Sequence, residues 1–214
     1  MPAFAKLSLN NVIVDIPGTG ERFRDIEATN TGEDTLYLDV TVREVLQPGE
    51  ASEQRRPVNL AEDRSLIVTP NKTVLPPGAR RLIRFMAMGA APGRERVYRV
   101  SVTPVIAGVE AKQTALKILV AYDVLVLVRP AVLSASGLKV QRSGATLKVE
   151  NAGENSVFLQ DIRQCAPGTE QSPCPSLTSK RLYPGNSWSY ALPHDAAVEI
   201  QQTVGDDTTV ERYP

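Results

Sequence analysis

The stretch TLYLDVTVREV, residues 35–45, alternates with a period of two: Leu36, Leu38, Val40 and Val42 fall on one face, Tyr37, Asp39, Thr41 and Arg43 on the other. That spacing suits a β-strand covered on one side only. Short β-branched segments of the same kind recur along the chain with turn residues between them: KLSLNNVIVDI, FRDIEATN, SLIVTP, RLIRFMAM, ERVYRVSVTPV and the apolar KQTALKILVAYDVLVLVRP. Helix-period patterns are nearly absent, so the chain must build its core from sheets.

The spacing of these segments over residues 1–128 predicts an immunoglobulin-like sandwich. VRPAV at 128–132 marks a joint, because proline ends a ladder, and the strand pattern restarts beyond it with LKVQR, TLKVEN, SVFLQDIRQ, RLYPGNSWSYAL, AAVEIQQTV and TVERYP. The expected fold is therefore all-β, with one sandwich domain over 1–128 and a smaller one over 129–214. Two long polar connections, AGVEAKQ at 107–113 and VLQPGEASEQRRPVNLAED at 45–63, interrupt the first; the second is long enough for a mobile loop or an excursion between sheets.

Charge excludes some functions. With 24 basic and 24 acidic residues, no bulk field selects a nucleic acid or a membrane surface. Lys117 and Asp123 interrupt the most apolar stretch, which argues against a membrane-embedded helix. MPAFAKLSL lacks the basic start and long apolar run of a signal peptide and reads as a mature secreted form with an added Met. Cys165 and Cys174 lie nine residues apart in the turn-rich QCAPGTEQSPCPS, which suits a disulfide formed in an oxidising compartment; the alternative is two free thiols.

Catalytic chemistry is sparse. His194 is the only histidine and sits beside a proline at a turn, with no nucleophile elbow to pair with it. The acids of GDD at 205–207 and AED at 61–63 read as turn chemistry, GTG at 18–20 lacks the setting of a dinucleotide site, and NKT at 71–73 spells a glycosylation triplet of a kind frequent by chance. One histidine and no CxxC leave no metal site, and no catalytic residue or cofactor is expected. Recognition is better represented. Alternation puts Leu116, Ile118, Val120 and Tyr122 on one face of the long apolar segment. On an edge strand such a stripe invites strand addition; on a central strand it is core.

The RPA linker, LIVTPNKTVLPPGARRLIRF, VYRV, the segment ending LVRPA, and the cysteine pair followed by RLYPGNSWSY together resemble the periplasmic chaperones of the chaperone-usher pilus pathway. The likeness runs through both domains and is greatest to the alternate branch, the chaperones of colonisation-factor and cable pili. It implies two immunoglobulin-like domains in an L or boomerang arrangement. It also implies a periplasmic chaperone that binds, folds and caps pilus subunits by lending its own strand, then delivers them to an outer-membrane usher. Leu116, Ile118, Val120 and Tyr122 would be the lent residues, and the free chaperone would cap the strand as a homodimer. Arg129 and Glu95 match the family's interdomain ion pair, whose usual Asp partner stands here as Thr203. The family's two cationic anchors for the subunit's terminal carboxylate fall on Asn11 and Leu125, neither of which is charged. Either Arg84 or Lys6 replaces them, or Asn11 and backbone donors do, with bonds about half as strong. The competing reading is a structural or adhesive surface module such as a pilus subunit. The early first strand and two full strand sets argue against a subunit, and an aromatic content of 5% argues against a sugar-binding module.

Overall fold

The computed structural model describes residues 7–59, 65–105, 119–165, 174 and 176–214. Every regular element among them is a strand. The chain divides into two compact units, one of residues 1–46, 54–91 and 96–128, the other of 47–53, 92–95 and 129–214.

The first unit holds β1 (Leu7–Leu9), β2 (Ile13–Ile16), β3 (Phe23–Asn30), β4 (Leu36–Leu46), β5 (Gln54–Pro57), β6 (Leu66–Thr69), β7 (Lys72–Leu75), β8 (Arg80–Ala87), β9 (Arg96–Val105) and β10 (Tyr122–Val128). One sheet runs β1-β3-β8-β6; the other runs β2-β10-β9-β4-β5, with β7 also on β4. Ile26, Ile83 and Phe85 from the first meet Val100, Val102, Val124 and Val126 from the second in one core, each side chain contributing about 1.5–3 kcal/mol by leaving water. The alternation in β4 holds: Leu36, Leu38 and Val40 are buried while Tyr37 and Thr41 face out.

Two expectations change here. KLSLNNVIVDI is two strands on different sheets, because Asn10 Oδ1 accepts the Glu27 N–H at 2.8 Å and Asn11 Oδ1 accepts the Ile13 N–H at 2.9 Å, turning the chain between them. β2 then runs parallel to β10. The 45–63 connection contains β5, which pairs with the end of β4 as a ribbon in which Arg56 meets the Glu44 carboxylate at 2.5 Å. β5 reads QRRP and is exposed at every position, so no hydrophobic alternation announces it.

The second unit holds β11 (Leu138–Ser143), β12 (Thr146–Asn151), β13 (Val157–Gln164), β14 (Ser176–Leu177), β15 (Lys180–Leu182), β16 (Ser187–Ala191), β17 (Val198–Val204) and β18 (Asp207–Tyr213). β11-β12-β16 form one sheet and β14-β13-β17-β18 the other, with β15 on β13. Gly205, at φ 59°, opens the two-residue turn between β17 and β18, so the GDD acids are hairpin chemistry. Cys165 and Cys174 are bonded to each other.

The two units share a device. Asn30 ends β3 fully buried, its Nδ2 donating to the Asp34 and Leu75 carbonyls at 2.7 and 2.8 Å and its Oδ1 accepting the Gly32 N–H at 3.0 Å. Asn151 ends β12 in the same way, donating to the Asn155 and Leu182 carbonyls at 2.9 Å each and accepting the Gly153 N–H at 2.9 Å. The amide of Gly78 donates to the Asn30 carbonyl, as that of Gly185 does to the Asn151 carbonyl. The sequences match accordingly, NTGEDTLYL at 30–38 with NAGENSVFL at 151–159, and LPPG at 75–78 with LYPG at 182–185.

Candidate functional site: the edge of β10

β10 pairs along its whole length with β9, from Tyr122 opposite Val102 to Val128 opposite Arg96. On its other side β2 covers only Leu125 to Val128, with one further bond from the Leu125 N–H to the Val12 carbonyl at 2.9 Å. Among the described residues no strand pairs with that side of Tyr122, Asp123 and Val124. Unpaired backbone donors and acceptors there are a template for an incoming strand. Apolar side chains flank the open stretch: Val120 is 41% exposed, Val12 45% and Ile13 44%.

Alternation assigns the faces. Tyr122, Val124, Val126 and Val128 point into the core between the two sheets; Asp123, Leu125 and Leu127 lie on the opposite face, where Asp123 is exposed and both leucines are buried. Tyr122 packs against that core and donates its hydroxyl to the Leu7 carbonyl at 3.0 Å. Its ring is thus engaged at home, which differs from its expected place in the lent set, because the stripe continues in phase into the sandwich. Leu116 and Ile118 lie outside the described residues, as do Lys6, the acids at 62–63 and the 107–113 connection.

The expected anchors are placed as follows. Asn11 stands in the turn beside this edge. Arg84 lies on the other sheet, where both arms of its guanidinium bond Asp25 at 2.8 Å and its plane covers the Phe23 ring at 4.3 Å. Those bonds hold the Asp25 carboxyl below the usual carboxylate range. An arginine so occupied, on the sheet that does not contain β10, is poorly placed to meet a ligand of that edge.

Arg129 and Glu95 meet, both fully buried. Arg129 Nη1 donates to Glu95 Oε2 and to Ser156, at 3.1 Å from its hydroxyl and 3.3 Å from its carbonyl. The Ser156 N–H and hydroxyl donate to the same carboxylate oxygen at 2.9 and 3.1 Å. Thr203 is elsewhere, its hydroxyl bonded to Gln160 and Thr208. Ser156 therefore occupies the place expected of Thr203. His194 sits in a bend with its N–H donating to Gln164 Oε1 at 3.0 Å, and no group of metal-binding side chains occurs among the described residues.

The described residues thus form two immunoglobulin-like sandwiches, one with an unpaired strand edge flanked by apolar side chains. Residues 7–134 match the family described as pili and flagellar-assembly chaperone, PapD N-terminal domain, and the chain belongs to that family. It is a chaperone of pilus assembly, a role that involves no catalysis. A CS1 fimbrial protein of Escherichia coli is 26% identical over 171 residues, 76% of this chain and 71% of that protein. The crystal structure of the class 5 fimbriae chaperone CfaA is similar at a TM-score of 0.72 and 20% identity, covering 97% of this chain and 99% of that one. A chain from the complex of Salmonella enterica SafA pilin with the SafB chaperone matches at a TM-score of 0.67 and 16% identity, over 100% and 98%. The CS1 and CfaA matches place the likeness on the alternate side of the family, and the surface-module reading is not favoured.

Proposed function

We propose that the chaperone captures pilus subunits by lending them the strand that leads into β10, with Leu116, Ile118 and Val120 entering the subunit's groove. The domain over 1–128 carries this strand, and Arg129, which follows β10 directly, pairs with Glu95 as the resemblance implies. The observation that carries the reading is the open side of Tyr122–Val124 next to an exposed Val120. Main-chain bonds along such an edge supply affinity, and alternate side chains in pockets supply selectivity. The cysteine pair, bonded within one loop, suits the periplasm. An outer-membrane usher receives the loaded complex, and a second copy of the chaperone covers the strand when no subunit is present.

Val120→Asp and Ile118→Asp test this directly. Each places a carboxylate in an apolar pocket of the subunit, at a cost of several kcal/mol. Subunits co-expressed from the same gene cluster should no longer co-purify with either variant, while the melting temperature of the free chaperone stays within a few degrees of wild type. Normal capture by both variants would remove the strand-lending role. Unfolding of both would return the stretch to the chain's own core.

A further inference from the structure

Arg43 on β4 and Arg99 on β9 stand directly opposite each other on the outer face of the sheet that contains β10. Like charges at opposed positions destabilise a ladder unless an anion screens them. The nearby carboxylate is Asp123, and its bond, at 3.0 Å, goes to Arg55. Arg99 is left with Nε 3.9 Å from Asp123 Oδ2 and Nη1 3.4 Å from the Asp123 carbonyl oxygen. Arg43 reaches the Ser101 hydroxyl at 3.4 Å, which in turn donates to Asp123 Oδ1 at 3.5 Å. Arg55 thus bonds the Asp123 carboxylate directly, Arg99 makes only long contacts with that residue, and Arg43 reaches it only through the Ser101 hydroxyl. The side chain of Arg99 is 30% exposed, that of Asp123 41%, so the cluster is open to a ligand.

Its position gives the ligand a direction. Arg99 is opposite Leu125, which is opposite Ile13, so the cluster lies in the same cross-strand row as the end of the open edge. A strand added beside Tyr122–Val124 would run about two strand spacings, roughly 10 Å, from β9, a gap that an arginine and an acidic side chain or chain terminus bridge between them. Planar guanidinium forks favour carboxylates over other anions of that size through paired parallel bonds.

We infer that Arg43 and Arg99 form a carboxylate-binding site for the polypeptide held at the β10 edge, with Asp123 as an internal occupant that partly screens the site in the free chain. The inference rests on the strand-lending reading above and adds to it the residues that receive the subunit's negative charge. Asp123 competes with the incoming group, so the site trades stability of the free chain for charge recognition.

The test measures dissociation constants for co-expressed subunits, at low and moderate salt, together with melting temperatures of the free variants. Arg99→Gln and Arg43→Gln should each weaken binding about tenfold, as expected for loss of one charge-assisted bond. Each should leave the melting temperature unchanged or raised, since an opposed cation has gone. Arg99→Lys should lie between. Asp123→Asn should tighten binding several-fold. Arg80→Gln, the same charge change on the other sheet, should alter binding less than twofold. Unaltered binding by both glutamine variants would overturn the site, as would weaker binding by Asp123→Asn or a fall in melting temperature that tracks the loss of affinity. Loss of binding on Val120→Asp with none on Arg99→Gln would retain strand lending and reject this site; a wild-type protein that captures no subunit rejects both.

Discussion

Glu95 is a carboxylate with no exposed surface, and one of its oxygens receives the Arg129 guanidinium and both donors of Ser156. A charge so buried depends on its partner. Arg129→Ala should therefore destabilise by about 3–5 kcal/mol in denaturant unfolding, because it leaves that charge uncompensated. Replacing Arg129 by Met together with Glu95 by Leu should cost much less. Equal losses for the single and double variants would refute the argument. Tyr190 responds to pH instead. Burial pushes its hydroxyl up to about 12, and it has no hydrogen-bond partner among the described residues. In the unfolded chain the group ionises near 10, so the folded state favours the proton. The contribution is complete below that value and is lost as pH rises from there through the folded one. Melting temperature should fall over that interval in wild type and fall less in Tyr190→Phe. Arg129 and Glu95 were legible because each sits in a recognisable motif, VRPA and RERVYRV. Ser156 was not, because a serine in a turn has no distinctive pattern until something buried needs its donors.

At the scale of elements, the two asparagines that close β3 and β12 each satisfy three main-chain groups from inside the core. Asn30→Ala or Asn151→Ala should cost about 3 kcal/mol, since the freed carbonyls and amide stay buried without partners. Urea unfolding followed by near-ultraviolet signals should detect either loss, and a cost below about 1 kcal/mol would mean that water replaces the side chain. The disulfide closes a short ring, so its reduction should destabilise by roughly 2–3 kcal/mol, read by calorimetry with and without reductant. Strand existence was largely visible from period-two spacing, as β4 and β9 illustrate. What spacing missed was partition: Leu7–Leu9 and Ile13–Ile16 read as one strand yet belong to opposite sheets, because alternation reports which side is buried and says nothing about which neighbour supplies the hydrogen bonds. β5 went unseen for a related reason: QRRP is exposed at all four positions and has no apolar face to alternate.

For the molecule as a whole, the sequence by itself determined the all-β class and carried two local marks, the proline of the RPA motif and the apolar stripe of the segment that enters β10. All three follow from local chemistry: side-chain alternation, the missing amide of proline, and the density of branched aliphatic residues. Tertiary structure alone decided which part of that segment is spent at home. Tyr122 and Val124 share the phase of Val120, but the former pair packs into the first sandwich while Val120 stays exposed, since burial depends on where the opposing sheet ends. It alone also decided where cations gather. Arg84, named from the sequence as an alternative anchor, is held by Asp25, whereas Arg43 and Arg99, 56 positions apart along the chain, are opposed by the register of β4 on β9. Charge at a site is a sum over neighbours in space, and strand pairing brings together residues whose separation along the chain carries no trace of it.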